Sequence, residues 1–239
     1  MQIRPAHSLR DWSGELAFGT RQWKCVLSRG KSQHGLLYQL RLGNEVNFRL
    51  TYDGPLKAAS QSENRRTDKH AIRRVFSRQL KQLYFEREPF LEKEFSTIAT
   101  TGEKLGVSRG GYLCLAVVRE KLHLVCDLDI LFLRRDKPGN LIGQGGDLDN
   151  RIKVLFDALR VPQDDNEVRG LFDPELEESC VLFCLTENDN LITGFRVTTD
   201  RLLEPAACEA EENNVQLIIN VEIKVTKLTE ENLAYFSHF

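Results

Sequence analysis

The stretch GGDLDNRIKVLFDALRVPQDDNEV, Gly145 to Val168, places the tightest limit on how this chain can fold. A diglycine closes one segment, a helical pattern starts on two aspartates one residue apart, and Pro162 stops propagation beyond Val161. Ile152, Phe156 and Leu159, with Leu148 ahead of them, form an apolar stripe at helical spacing. The spacing predicts a short helix from Asn150 to about Arg160 with that side buried. Asp147 or Asp149 can cap it by accepting from the free amides of the first turn. Asp149, Lys153 and Asp157 recur every four residues and so stack on a single edge. A further pair, Asp164 and Asp165, follows in a loop that can fold back.

Around this helix the chain is mostly strand text. LLYQLRLGNEVNFRLTYDGPL predicts two short strands with a turn at Gly43-Asn44, and Val46, Phe48 and Leu50 alternate with polar neighbours up to Gly54-Pro55. The polar KAASQSENRRTD predicts a loop. KHAIRRVFSRQLKQLYF predicts a helix with an apolar stripe at Ile72, Phe76, Leu80 and Leu83. Its other faces carry Arg73, Arg74, Arg78 and Lys81, a solvated or phosphate-facing set. GGYLCLAVVREKLHLVCDLDILFLRR predicts a hairpin broken around Arg119–Lys121, and DKPGNLIGQGG a glycine-rich loop. Beyond Val168 come an acidic loop, the strands CVLFCLT and NLITGFRVTT, an acidic segment at 200–214, and a closing strand VQLIINVEIKVTKL. Residues 1–34 show no clean period and suggest an added element or a partly ordered arm. The expected architecture is α+β, a single domain with a mixed β-sheet flanked by helices.

Composition narrows the function classes. At 41% hydrophobic with 13 Phe, the chain can bury a core, and 28% charged residues is ordinary for a soluble protein. No run reaches the roughly 18 apolar residues of a membrane span, and the start lacks a secretory hydrophobic stretch, so a cytoplasmic location is expected. Cys25, Cys114, Cys126, Cys180, Cys184 and Cys208 have neither finger spacing nor a disulfide pattern, which predicts buried free thiols. The net charge of −2 hides a segregation. Residues 1–140 carry 25 basic against 15 acidic side chains, and residues 161–239 carry 5 against 17. A basic face for a polyanion is permitted.

Two carboxylates at a helix start, a lysine one turn on and a second aspartate pair form a cluster of like charges that repel unless a cation or proton neutralises them. Hard oxygen ligands suit magnesium or manganese. Such a metal activates water and steadies charge on a scissile phosphate, with Lys153 beside the developing negative charge. The competing account is a surface ladder at Asp149, Lys153 and Asp157, together with a common N-terminal aspartate. GQGGDLDN lacks the Gly-Lys-Ser/Thr ending of a phosphate-binding loop, and DLDNRIKVLFDA lacks the central glycine and terminal glutamate of a calcium loop. There is no serine nucleophile elbow. Among His7, His34, His70, His123 and His238 none is paired at metal-ligand spacing, and His70 and His123 read as structural or surface residues.

DLDNRIKVLFDALRVPQDDNEV resembles the signature of the RusA-like endodeoxyribonucleases, the Holliday junction resolvases of bacteria and their prophages. That signature is an Asp-x-Asp-Asn-x-x-Lys-x-x-x-Asp-Ala-Leu helix followed by a loop bearing Asp-Asp, and every signature residue is present. FRLTYDGPLKA also resembles the family's first strand and Gly/Pro turn. The resemblance implies a RusA-like nuclease domain over 46–239, behind an extension at 1–45 of unknown role. It implies a symmetric homodimer that binds four-way DNA junctions and nicks opposing strands with magnesium, or manganese in its place. By position, the metal-binding aspartates fall on Asp147, Asp149 and Asp165, with Asp164 as an alternative to Asp165. The lysine needed for cutting falls on Lys153. Asn150 and Asp157 match signature positions that support the helix. Contacts to branched DNA would come from Arg65, Arg66, Lys69, Arg73, Arg74, Arg78, Arg134, Arg135 and Lys137. The acidic DPELEES and the absence of a counterpart for residues 1–45 depart from the family pattern. The alternative function is a nucleic-acid-binding or assembly protein that keeps this fold with altered or lost chemistry.

Overall fold

The alternation that starts at Val46 runs the length of a ten-residue strand, with Val46, Leu50, Tyr52 and Gly54 buried and their neighbours exposed or half-buried. In this computed structural model the described residues are 13–18, 21–29, 38–41, 46–57, 64–85, 106–135, 148–171, 181–203, 214–229 and 232, the first three stretches as backbone only. In chain order they form β1 (Ser13–Phe18), β2 (Arg21–Arg29), β3 (Tyr38–Arg41), β4 (Val46–Pro55), α1 (Arg65–Phe85), β5 (Val107–Arg109), β6 (Tyr112–Val118), β7 (Leu124–Arg134), α2 (Leu148–Leu159), β8 (Val181–Thr186), β9 (Ile192–Arg201) and β10 (Asn214–Val225).

The strands make three sheets, ordered β1-β2-β3, β4-β10-β7-β9 and β5-β6-β8. In the four-stranded sheet β10 runs antiparallel to β4 and β7, while β7 and β9 run parallel. The sheet is therefore mixed, and α1 and α2 pack against the strands, so the expected α+β architecture is found.

One large core joins the inward residues of β4, β7 and β10 to Ile72, Phe76 and Leu80 of α1 and to Ile152, Leu155 and Leu159 of α2. A smaller one holds Tyr112, Cys114, Ala116, Val161, Val168, Leu182 and Cys184. Strand β6 divides its residues between the two, with Leu115 and Val117 in the first and Cys114 and Ala116 in the second. Burial on both faces explains why YLCLAVV is an unbroken apolar run rather than an alternating one. Cys114, Cys126 and Cys184 are buried free thiols.

Three features differ from the sequence expectation. β6 and β7 do not form a hairpin: β6 pairs with β5 and β8, whereas β7 pairs with β10 and β9. The turn at Arg119–His123 instead carries the chain from one sheet to the other, with His123 in that turn at φ +52°. Periodicity identifies strands but does not say which strand pairs with which. Within residues 1–34, β1 and β2 pair antiparallel with Phe18 opposite Arg21. Two residues, one of them Gly19, separate these strands, a hairpin signal that a search for period alone misses. Helix α1 starts at Arg65, four residues before the apolar stripe suggests, because its first turn is polar.

The exposed edge of β4 meets α1. The Thr51 N–H donates to Gln79 Oε1 at 2.9 Å, and Gln79 Nε2 donates to the Thr51 carbonyl at 2.7 Å. The carboxamide thus supplies one acceptor and one donor where an adjoining strand would. At the other helix, Arg151 of α2 is 2% exposed and donates to the Leu56 carbonyl just past β4.

Candidate active site

Helix α2 opens with Leu148, and its apolar stripe turns into the core as expected. Asp149 and Lys153 stay in solvent, with side chains 70% and 71% exposed and Nζ 3.7 Å from a carboxylate oxygen. The expected ladder stops there. Asp157, one turn further, faces α1: its carboxylate lies 3.3 Å from Lys69 Nζ and 2.7 Å from Arg160 Nη2. Burial pushes the Asp157 carboxyl up, but Lys69 and Arg160 outweigh that and hold it below its usual value. Asp157 therefore organises the helix.

Past the helix, Val161 and Pro162 are buried and the chain makes one tight helical turn at Asp165–Glu167. Asp164 caps that turn, its Oδ1 accepting from the backbone N–H of Asn166 at 2.7 Å and of Glu167 at 3.2 Å. Asp165 points elsewhere. Its Oδ1 accepts from the Gly110 N–H at 3.0 Å, and its carbonyl accepts from the Arg169 N–H at 2.8 Å. The two aspartates thus have different duties, a cap at 164 and a bridge to the β5–β6 turn at 165.

Glu167 anchors the turn from below. Its carboxylate meets Arg73 at 3.0 Å, Arg160 at 3.2 Å and Lys69 at 3.9 Å, and Arg73 Nη2 also donates to the Asp157 carbonyl at 2.7 Å. Burial disfavours the Arg160 charge, yet Glu167 and Asp157 reverse this and push its pKa up. Three cations and two carboxylates lock α1, α2 and the turn together.

This network corrects part of the expected DNA-contact set. Arg73 is 1% exposed and Lys69 nearly buried, both occupied by carboxylates rather than turned to solvent. Arg134, the last residue of β7, is buried as well. Arg74 and Arg135 are half-buried, Arg65, Arg66 and Arg78 are exposed, and Lys137 lies outside the described residues. Arginine-rich sequence cannot distinguish an arginine that neutralises a buried carboxylate from one that meets solvent.

Of the four residues carried over for chemistry, Asp149 and Lys153 are adjacent, Asp165 sits on the turn after α2, and Asp147 lies outside the described residues. Among the described residues no three His, Cys, Asp or Glu side chains gather as a metal-binding group. The donors that are described are hard carboxylate oxygens, the kind that fit magnesium or manganese. Compared with protein-family models, curated proteins and solved structures, the chain matches none.

Gly110 and Glu167 were not singled out by sequence. The Gly110-Gly111 pair signals a turn, and only the fold shows which loop it meets. A separate trough of about 740 Å³ crosses the four-stranded sheet, lined among others by Arg49, Asp127, Asp129, Arg196, Asn220 and Glu222. Two arginines face three carboxylates in its lining, and Lys224 pairs with Asp127 beside it, so it offers no net attraction to a polyanion. No helix among the described residues is long and apolar enough to cross a membrane.

Proposed function

We propose that this chain is a RusA-like, magnesium-dependent endodeoxyribonuclease that nicks branched DNA, four-way junctions above all, as a homodimer. One observation carries this. The signature from Asp149 to Asp165 splits into residues that build the fold and residues that do not. Ile152, Leu155, Ala158 and Leu159 fill the core, and Asp157 joins the network beneath the turn. Asp149 and Lys153 remain exposed, and Asp165 is tied through one carboxylate oxygen to a backbone amide. An exposed pair of this kind adds little to stability, so its presence fits chemistry better than architecture.

In this proposal Asp147, Asp149 and Asp165 hold the metal, magnesium or manganese, which supplies activated water and a counter-charge for the phosphate. Lys153 stands near Asp149 as the cation for charge that builds on the phosphate oxygens. Glu167, Arg73 and Arg160 keep the Asp165 turn in place.

The deciding experiment compares the wild-type chain with Asp149→Asn on a labelled synthetic four-way junction, with duplex, fork and single strand alongside, in magnesium. Paired cuts at the junction that disappear in the variant support the proposal. Cuts in another substrate, again lost with Asp149, keep the nuclease and replace its substrate. Binding without cutting favours the nucleic-acid-binding alternative.

A further inference from the structure

We propose that Arg66 and Arg169 form a grip for a nucleic-acid backbone phosphate beside the turn that carries Asp165, a role that rests on the nuclease reading above. A chain of bonds ties Arg66 and the backbone of Arg169 to that turn. Arg66 Nη2 donates to the Arg169 carbonyl at 2.7 Å, the Arg169 N–H donates to the Asp165 carbonyl at 2.8 Å, and Asp165 Oδ1 accepts from Gly110. The first turn of α1 is thereby fastened to the turn that carries Asp165, and both arginines are exposed there.

Charge separates these two arginines from their neighbours. Lys69, Arg73 and Arg160 are each ion-paired with Asp157, Glu167 or both. Neither Arg66 nor Arg169 has an ion pair with a carboxylate among the described residues. Arg66 also stands in the first turn of a 21-residue helix, where the helix dipole disfavours a cation. Its side chain is exposed, and its bond is to a backbone carbonyl that brings no negative charge. A bound anion turns that unfavourable placement into a favourable one.

The guanidinium fork suits a phosphate, which it can meet with two parallel N–H donors. Arg66 already spends one nitrogen on the Arg169 carbonyl, which restrains its side chain before any ligand arrives. Less freedom is then lost on binding. Contacts of this type position the nucleic acid without reading its sequence.

The test measures binding of a fluorescent four-way junction across a salt series with calcium in place of magnesium, using the full chain and the pair Arg66→Gln/Arg169→Gln. Two lost phosphate contacts make the slope of log K against log salt shallower by about 1.8 and weaken binding by roughly tenfold or more. The Arg66→Lys/Arg169→Lys pair keeps the wild-type slope. An unchanged slope in the glutamine pair overturns the grip while junction binding by the wild type leaves the nuclease reading intact. If the lysine pair is as weak as the glutamine pair, the arginines shape the turn and the grip is again overturned. If the wild type binds no nucleic acid, both fall. Should the glutamine pair melt early, Arg169→Gln alone decides, since Arg66 bonds the backbone at 169; its expected slope change is about 0.9.

Discussion

Gly110 donates its backbone N–H to Asp165 Oδ1 at 3.0 Å, so a turn between two short strands holds a carboxylate that follows α2. The contact leaves no room for a side chain. Gly110 has φ +54°, and a Cβ there would lie 2.9 Å from the Asp165 carbonyl oxygen and from Val168 Cγ2, and 3.0 Å from the Arg169 nitrogen.

Gly110→Ala is therefore expected to push the 165–169 turn away and to lower stability by about 1–3 kcal/mol. Gly111→Ala is the comparison, since φ is +100° there but no atom lies within 4 Å of an added Cβ. Denaturant midpoints give the stability of each. A larger loss of nicking in Gly110→Ala than in an equally destabilised Gly111→Ala would locate the effect at Asp165. Equal losses would count against it.

Removing Glu167 should be costly because it leaves cations behind. With Arg73 at 1% exposure, Glu167→Gln is expected to destabilise by roughly 3 kcal/mol. The double variant Arg73→Met/Glu167→Gln should lose less than the two single losses added together, since the pair is then removed as a unit. A double-mutant cycle by urea unfolding measures this, and strict additivity would mean that the ion pair carries no coupling.

Asp157 gives a pH dependence with a defined sign. Its folded pKa is held below the usual aspartate value of about 3.9, against burial, by Lys69 and Arg160. The stability it contributes is full above that value and is lost as the pH falls through the depressed folded pKa. Thermal unfolding followed downward from pH 6 should show a steeper acid loss in the wild type than in Asp157→Asn. Parallel curves would remove Asp157 from the account.

Asp149 and Lys153 predict the opposite combination. Both side chains are about seven-tenths exposed, so Asp149→Asn and Lys153→Met should each change stability by no more than about 0.5 kcal/mol. On the proposed function, nicking vanishes in the first and drops by about a hundredfold in the second. Unchanged cutting in both, at unchanged melting temperature, would refute the assignment.

The sequence showed α2, its buried stripe, the exposed Asp149–Lys153 pair and the later strands, because each is written in local spacing. It did not show that Asp157 leaves its ladder for Lys69, a residue 88 positions away. Nor did it show Arg73 beneath Glu167, or Gly110 on Asp165. Those partners lie on different elements, and no period within one segment encodes a contact between two. The pairing of Phe18 with Arg21 is of another kind, since only two residues separate them and the connection is local to the sequence.

The Gln79 carboxamide on Thr51 has a consequence for how these molecules behave in company. A sheet edge with free N–H and C=O groups is a template for another chain, and strand addition there is a common route to aggregation. At Thr51 both groups are taken by a side chain that no second strand can displace without breaking two hydrogen bonds. The β4 margin of the β4-β10-β7-β9 sheet is thus occupied at Thr51 by a side chain of α1. At that one position Gln79 holds the groups a stranger's strand would pair with, a duty separate from any work the chain performs on a ligand.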